Sequence, residues 1–460
     1  MIKLFVCRCE DSRHLLFDSL WRTKRELIAV DLIDKIGARM TLGSDSDDSR
    51  ARRTTTPAAG DEFASHRVLD VNGAFVLAAC SSPNCPDTLR VGLLPQRPPA
   101  SDADALVPGA VALALVGGAQ IDWHYVNEPS VCVSLAKEFG WQIVRHQPPA
   151  EDPIQIPFEC LLLCPRAEDA AATATTSPHK KLSLVCCIHG GPHSAFGSDL
   201  QLFPAAFALH KYAVVAPNYR GSIGFGQRSV DSLMGRIGTQ DVADCLQAID
   251  EAVKKLREEH NAEVDRVFLL GGSHGGFLVT HLMAARPHEF AAVASRNPVI
   301  ELSAMANCLT DIPDWCFTES NVGSFAFGHP TSASQMERLY AMSPLSTIDR
   351  TIAAAEKEET KKAAATSGEL AAVSKQPSAI GVSSSASASA PNAVPPLLLL
   401  LGADDYRVQP QQGLALYHLL RGRGQRVALN MYPNSNHSLS RVPVEGDCLV
   451  NVLAFYEHYA

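Results

Sequence analysis

Ser273 stands at the centre of the stretch best suited to chemistry, Gly271-Gly272-Ser273-His274-Gly275. An apolar, strand-like run, Val267–Leu270, leads into it, and an apolar helical pattern follows from Phe277. A Cβ on either outer glycine would clash with the neighbouring strand and helix, so this spacing suits a tight turn that lifts a serine hydroxyl above a sheet edge. The pattern predicts a nucleophilic serine; a glycine-rich turn with a solvated serine is the alternative.

A serine nucleophile needs a base within hydrogen-bond reach and an acid that orients the base. Asp405 follows the apolar strand Leu397–Leu401, and His437 follows the next strand, Arg426–Tyr432. Taken singly, Asp405 could be a helix N-cap and His437 a polar loop histidine. Three such residues at three strand ends, in the order serine, acid, histidine, favour a catalytic triad of Ser273, Asp405 and His437.

Acyl transfer passes through an oxyanion, which two preorganised N–H groups must stabilise. The residue after the nucleophile, His274, supplies one backbone N–H. We assign the second to Gly191, in the loop His189-Gly190-Gly191-Pro192-His193, because glycines let a backbone approach the substrate closely. The two histidines of this loop suggest a metal site as the alternative. No cysteine or carboxylate stands at ligand spacing, so we expect no metal.

The elements that must position these residues fall into two parts. Residues 1–130 contain short strand-like runs between polar turns, with a hairpin signal at Asn72-Gly73 and a strand at Ala110–Val116. Residues 131–460 alternate strands with helices, which predicts a mostly parallel sheet covered on both faces. The segment Ile352–Ala393 is rich in Ala, Ser and Lys and is predicted to be a disordered insertion, with a helix over Ala353–Ala365, which would lack a substantial apolar face, as the alternative.

The composition favours a soluble globular protein in a reducing compartment. Hydrophobic residues make up 46% and charged residues 19% of the 460 residues, which is ordinary for globular domains. The net charge is −9, without a basic stripe, which argues against nucleic acid and membrane partners. The thirteen cysteines are scattered, which favours reduced thiols. The first residues lack the apolar run of a signal peptide, so we expect a cytoplasmic protein.

Five segments carry a specific resemblance: His189–Ser194, Asn218–Gly226, Gly271–Gly276, Arg296–Ile300 and Asp311–Cys316. Together they resemble the prolyl oligopeptidase family, and within it the acylaminoacyl-peptidases. The resemblance implies an α/β-hydrolase catalytic domain over residues 131–460 that needs no cofactor. It places the family's acid, in the pattern Gly-x-x-Asp-x-Arg-Val, on Asp405 rather than Asp404. It implies a serine exopeptidase that removes an N-acylated (acetylated) amino acid from short blocked peptides.

A blocked amino terminus carries no charge, so its binding site needs apolar room. Trp315 and Phe225 are candidates for lining this room, with ordinary core positions as the alternative. Arg407, two residues after the acid, is a candidate for binding a substrate carbonyl or for ordering the loop, and the sequence does not separate these roles. Gln409 stands where the family usually has proline, a departure that should leave the triad intact.

A weaker resemblance over residues 10–130 implies the end of the family's β-propeller. At some 40–50 residues for each four-stranded blade, residues 1–130 supply about two or three blades, which is a partial, truncated propeller. Such an array exposes a strand edge, which favours a homo-oligomer. The alternatives to the exopeptidase function are another serine peptidase or esterase with relaxed size selectivity, or a truncated and inactive interaction protein.

Overall fold

A computed structural model describes ten ranges of the chain: residues 4–6, 14–31, 36–40, 65–72, 74–94, 121–126, 135–166, 180–307, 310–371 and 392–460. The chain divides into two compact units. Unit 1 contains Met1–Leu182, His193–Val230 and Ala248–Val264, and unit 2 contains Ser183–Pro192, Asp231–Gln247 and Asp265–Ala460. The predicted domain boundary at residue 130 lies outside the described ranges and stays a prediction.

The first eight strands, all in unit 1, form one mainly antiparallel sheet. They are β1 (Leu4–Val6), β2 (His14–Trp21), β3 (Lys24–Asp31), β4 (Ile36–Met40), β5 (Ser65–Asn72), β6 (Phe75–Ser82), β7 (Cys85–Leu93) and β8 (Asp122–Tyr125). Consecutive strands pair antiparallel from β1 to β4 and again from β5 to β8. A parallel pairing of Arg25 with Ser65 joins the two sets. The predicted hairpin is confirmed as the β5–β6 pair, whereas Gly73 and the predicted strand Ala110–Val116 lie outside the described residues.

The turn between β2 and β3 packs against the segment Asn218–Gly226 of the same unit. Arg22 donates its backbone N–H to the carbonyl of Gly224 at 2.8 Å, and the hydroxyl of Thr23 donates to the buried carboxylate of Glu159 at 2.8 Å. Gly224 has a φ of 94°, and a Cβ there would lie 2.7 Å from the carbonyl oxygen of Arg22. Part of the motif that resembles the family therefore serves packing within unit 1.

Eight further strands follow: β9 (Phe139–His146), β10 (Phe158–Pro165), β11 (Lys180–Ile188), β12 (Ala213–Asn218), β13 (Ala262–Gly272), β14 (Ala292–Arg296), β15 (Leu397–Gly402) and β16 (Val427–Tyr432). In unit 1, β10 lies between β9 and β12 and is antiparallel to both. In unit 2, β13, β14, β15 and β16 are successive parallel neighbours, and β11 lies beside β13 on the other side. The parallel strands predicted around the nucleophile are therefore confirmed.

The helices that accompany these strands are α1 (Leu202–Leu209), α2 (Gln227–Leu233), α3 (Gln240–His260), α4 (His274–Ala285), α5 (Leu302–Asn307), α6 (Trp315–Ser320), α7 (Ala333–Ala341), α8 (Pro344–Ala371), α9 (Gln411–Gly422) and α10 (Val442–Tyr459). All five leucines of Leu397–Leu401 are buried, as expected for a strand covered on both faces. None of the described helices is both long and apolar enough to span a membrane.

Ile352–Ala371, the first part of the predicted disordered insertion, lies in α8, which favours the alternative of a helix there. Ile348 and Ile352, one helical turn apart, are both fully buried. Arg423 donates to the carboxylates of Asp349 at 2.8 Å and Glu356 at 2.6 Å. Composition averaged over the whole segment hid this anchor, because most of the stability of a helix in a protein comes from tertiary packing, which composition does not show. Residues 372–391 lie outside the described ranges.

The cysteines also differ in one respect from the prediction. Eight of the described cysteines are free and buried, as expected for core thiols. Cys85 is disulfide-bonded, whereas the sequence favoured reduced thiols. Pairing depends on which thiols meet in space, and spacing along the chain does not show this.

Candidate active site

The nucleophile turn joins β13 directly to α4, with Ser273 between them. Ser273 is half-buried, with φ 57° and ψ −121°, a backbone conformation that L-residues rarely adopt. A Cβ on Gly271 would collide with the backbone of Gly275, and a Cβ on Gly275 would collide with the carbonyl of Ile188 at the end of β11. Both outer glycines of the motif are therefore required for close packing, as the sequence predicts.

The predicted acid and base contact each other. Asp405 Oδ2 lies 2.7 Å from His437 Nδ1, and the carboxylate of Asp405 is fully buried. The other oxygen, Oδ1, accepts the backbone N–H groups of Arg407 at 2.9 Å and Val408 at 3.0 Å. An ionised carboxylate only accepts hydrogen bonds, so the proton of the neutral imidazole lies on Nδ1 and Nε2 keeps its lone pair. Asp404 is exposed, so the geometry selects Asp405.

The loops of the nucleophile and the histidine meet at Arg296, the last residue of β14. Its carbonyl oxygen accepts the backbone N–H of Ser273 at 2.9 Å. Its guanidinium donates from Nη2 to the carbonyl of Ser438, directly after His437, at 2.8 Å. The three strand ends that the sequence predicts to carry the triad therefore lie at one edge of the parallel strands.

The glycine loop after β11 lies against the nucleophile turn. A Cβ on Gly190 would lie 2.9 Å from the carbonyl oxygen of Gly272 and 3.1 Å from the Cβ of Ser273. Gly191 has a φ of 123°, a conformation that favours glycine. His274 is the first residue of α4, so its N–H has no acceptor within the helix. The backbone of Gly190, the neighbour of the predicted donor Gly191, thus borders Ser273, and the predicted donor His274 follows Ser273 directly.

The two histidines of the glycine loop contact backbone groups. The ring of His189 bonds through Nδ1 to the carbonyl of Gly190 at 2.8 Å, and that of His193 to the carbonyl of Gly221 at 2.7 Å. Among the residues that the structure describes, no group of three His, Cys, Asp or Glu side chains is arranged to hold a metal ion.

A buried pair below the nucleophile, His274 with Asp241, was missed by the sequence analysis. His274 Nε2 lies 2.8 Å from Asp241 Oδ2, and both side chains are fully buried. Asp241 Oδ1 accepts the N–H groups of Gly238 at 2.8 Å and Val242 at 3.0 Å. Because the carboxylate is held from three sides, it fixes the ring of the residue after the nucleophile. The partners are 33 residues apart in sequence, and no local pattern pairs them.

Two of the three predicted substrate-binding residues lie beside the triad. Trp315 Nε1 donates to the carbonyl of Gly191 at 3.1 Å, and its ring lies 5.9 Å from that of His274. Arg407 donates from Nε and Nη2 to the two carboxylate oxygens of Asp311, at 3.2 and 3.0 Å. This hydrogen bonding raises the pKa of Arg407 above its ordinary value. Phe225 is half-buried in unit 1, and its predicted role stays a prediction.

A serine at a strand–helix turn, with an acid and a histidine after later parallel strands, defines an α/β-hydrolase. The sequence pattern of the prolyl oligopeptidase family matches residues 198–355 and 359–460. The chain belongs to this family, as the resemblance of its motifs predicted.

Two relatives of the chain show how much of its length it shares with known enzymes. The acylamino-acid-releasing enzyme of Mus musculus is 32% identical over 458 residues, which cover 98% of this chain and 50% of that enzyme. The enzyme of the same name from Arabidopsis thaliana is 33% identical over 276 residues, covering 60% and 30% of the two chains. The chain therefore spans about half the length of the mouse enzyme and less of the plant enzyme.

Solved structures share the fold. An uncomplexed Pyrococcus horikoshii acylaminoacyl peptidase has a TM-score of 0.64 at 15% identity, covering all of this chain and 56% of that one. A puromycin-hydrolyzing peptidase of Mycobacterium tuberculosis has a TM-score of 0.63 at 17% identity, covering 99% and 53%. At these identities the likeness concerns the fold alone.

Proposed function

We propose that the chain is a serine exopeptidase that hydrolyses the bond after an N-acylated amino acid at the terminus of a blocked peptide. The observation that carries the proposal is the 2.7 Å contact of Asp405 with His437. This contact lies at the same edge of the parallel strands as the strained Ser273 turn. Relatives at 31–33% identity that are named acylamino-acid-releasing enzymes support the substrate class.

In the proposed mechanism, Ser273 Oγ attacks the carbonyl carbon of the acylated residue while His437 Nε2 takes its proton. Asp405 holds the imidazole in the Nδ1–H form and stabilises the imidazolium that develops. The N–H groups of Gly191 and His274 donate to the oxyanion. The imidazolium then protonates the leaving amine, and an acyl-enzyme remains. Water, activated by the same histidine, hydrolyses the ester and regenerates Ser273.

The charges around the site suit a substrate with a blocked terminus. Asp311 is paired with Arg407 through both carboxylate oxygens, and this pairing lowers its attraction for a free ammonium group. The same pairing directs Nε and Nη2 of Arg407 to Asp311 and leaves Nη1 to donate to a substrate carbonyl. In this proposal Trp315 lines the apolar room for the acyl group and side chain.

The proposal extends to the N-terminal strands. A propeller blade is a sheet of four strands, and the consecutive antiparallel sets β1–β4 and β5–β8 each have four. This pattern supports the partial β-propeller of two or three blades. We further propose a cytoplasmic homo-oligomer that acts on N-acylated short peptides, without nucleic acid or membrane partners.

A fluorophosphonate probe and a pair of substrates test the proposal. The purified chain should be labelled at Ser273, and Ser273→Ala should abolish labelling. It should hydrolyse acetyl-alanine p-nitroanilide at least tenfold faster than alanine p-nitroanilide, which has a free amine. A faster rate on the free amine would contradict the blocked-peptide specificity. An unlabelled, folded chain would favour the inactive interaction protein instead.

A further inference from the structure

The short segment Arg296–Val299, at the end of β14, contacts the loops of all three triad residues. The carbonyl of Arg296 accepts the N–H of Ser273, and the N–H of Val299 donates to the carbonyl of Ser273 at 3.3 Å. The sequence assigns no site residue to this segment. Its position between the nucleophile strand β13 and the acid strand β15 nevertheless allows it to hold both.

Asn297 makes the most specific of these contacts. Its side chain is buried, at 2% exposure. Nδ2 donates to the carbonyl of His437 at 2.8 Å, and Oδ1 accepts the N–H of Gly402 at 2.8 Å. Its own backbone N–H donates to the carbonyl of Leu400 at 3.0 Å. One amide group therefore bridges the end of the acid strand and the loop of the histidine.

The end of the acid strand and the loop of the histidine approach each other closely. A Cβ on Gly402 would lie 2.6 Å from the carbonyl oxygen of Ser435 and 2.7 Å from that of Asn436. The strand end and the histidine loop are thus in direct backbone contact. The side chain of Asn297 hydrogen-bonds to both of them.

Two independent requirements select asparagine at this position. The backbone of Asn297 has a φ of 41°, in the left-handed region where asparagine is several-fold enriched. The bridge also needs one donor and one acceptor on a single short side chain, which the amide supplies. Aspartate would retain only the acceptor, and glycine would retain only the backbone conformation.

We propose that Asn297 is a positioning residue for the catalytic base. Its amide holds the backbone of His437 against the strand end that leads to Asp405, so that the imidazole stays within reach of both Asp405 and Ser273. Asn297 touches no reacting atom and acts through His437. This inference rests on the proposed function, because it takes His437 as the base. A displacement of about 1 Å at a catalytic group can cost roughly 100-fold in rate.

The first test compares Asn297→Gly and Asn297→Asp with matched changes at Asn321. Asn321 is also left-handed, with φ 49°, but it is exposed at the C-terminal end of α6. Glycine removes the bridge at Asn297 without backbone strain, and aspartate replaces the donor to His437 with a carboxylate oxygen, which also brings a negative charge into this buried position. On acetyl-alanine p-nitroanilide, both Asn297 variants should lose about 10- to 100-fold in kcat, with KM within about threefold. The Asn321 variants should stay within twofold of the unchanged chain.

A double-mutant cycle separates positioning from general damage. In a His437→Ala background no base remains to be positioned, so Asn297→Gly should change the residual rate less than about twofold. Hydrogen exchange should also become faster at Gly402 and across residues 433–440 in Asn297→Gly, with β13 unchanged. Unchanged kcat in both Asn297 variants, or an equal loss with and without His437, would overturn the proposal.

The exchange measurement keeps this inference distinct from the proposed function. If the unchanged chain does not hydrolyse blocked substrates, the proposed function fails. Faster exchange at Gly402 and residues 433–440 in Asn297→Gly would then still support the bridge to the histidine loop. Unchanged exchange there would overturn it, whatever the activity of the chain.

Discussion

The Asp405→Asn variant is the sharpest test of the triad, because the structure determines which way the new amide must face. Oδ1 of Asp405 receives two backbone N–H groups, at 2.9 and 3.0 Å. Only the oxygen of an asparagine can accept them, so its NH2 group must occupy the position of Oδ2, 2.7 Å from His437 Nδ1. A donor there requires Nδ1 to accept, which moves the imidazole proton to Nε2.

With its proton on Nε2, the histidine cannot accept the proton of Ser273. In a serine peptidase triad the same acid-to-amide change lowers kcat by roughly 10⁴-fold, which corresponds to about 5 kcal/mol of barrier. We expect this loss in kcat for acetyl-alanine p-nitroanilide, with KM and the melting temperature little changed. The neighbouring Asp404→Asn variant is the matched control and should stay within about threefold, because Asp404 is exposed.

Two results would refute this reasoning. An Asp405→Asn enzyme that keeps more than a tenth of its kcat would show that the acid does not govern the tautomer. An Asp404→Asn enzyme that loses more activity than Asp405→Asn would place the acid one residue earlier. The rate of fluorophosphonate labelling compares the Asp405→Asn and Asp404→Asn variants in a reaction without a leaving amine. The labelling rate should fall in parallel with kcat.

Three further predictions follow from other contacts. Trp315→Phe keeps an aromatic ring but removes the donor to the carbonyl of Gly191, so kcat should fall about fivefold. An unchanged kcat would show that this hydrogen bond does not contribute to catalysis. Deleting residues 372–391 should leave the melting temperature within about 2 °C of that of the unchanged chain. Deleting Ile352–Ala393 should lower the free energy of unfolding in urea by more than about 2 kcal/mol. Equal effects of the two deletions would contradict the anchoring of α8. Burial lowers the pKa of His281 to about 4, so its neutral form stabilises the fold above pH 6.5 and this contribution is lost as the pH falls from 6.5 towards 4. By pH 5 the loss should reach about 2 kcal/mol, and His281→Gln should flatten the pH dependence of unfolding over that range.

The proposed triad could be derived from the sequence because the signal of each of its residues is local. Gly271 and Gly275 are needed for contacts with the turn itself and with the adjacent strand end, and a motif of five residues expresses both. Asp405 and His437 each follow an apolar run that only a buried strand explains. Parallel strands bring such ends to one edge, so the order of the three residues predicts their proximity, and the contact of Asp405 with His437 agrees with this prediction.

Predictions drawn from averaged composition were weaker. The segment Ile352–Ala393 is polar and repetitive as a whole, yet its first residue is fully buried and Arg423 pairs with Glu356 within it. The disulfide at Cys85 is a second case, because scattered cysteines show no pairing until the strands are placed.

The sequence by itself determined the family and the strand–helix order around Ser273, and it proposed Ser273, Asp405 and His437 as the triad, because each of these signals depends on residues close together in the chain. Only the tertiary structure decided which side chains hold those residues in place. Asp241 below His274, Asp311 on Arg407 and Asn297 between Gly402 and His437 join positions 33 to 140 residues apart. Such contacts form between elements whose separation in sequence carries no information about their distance in space, and they set the geometry that chemistry requires.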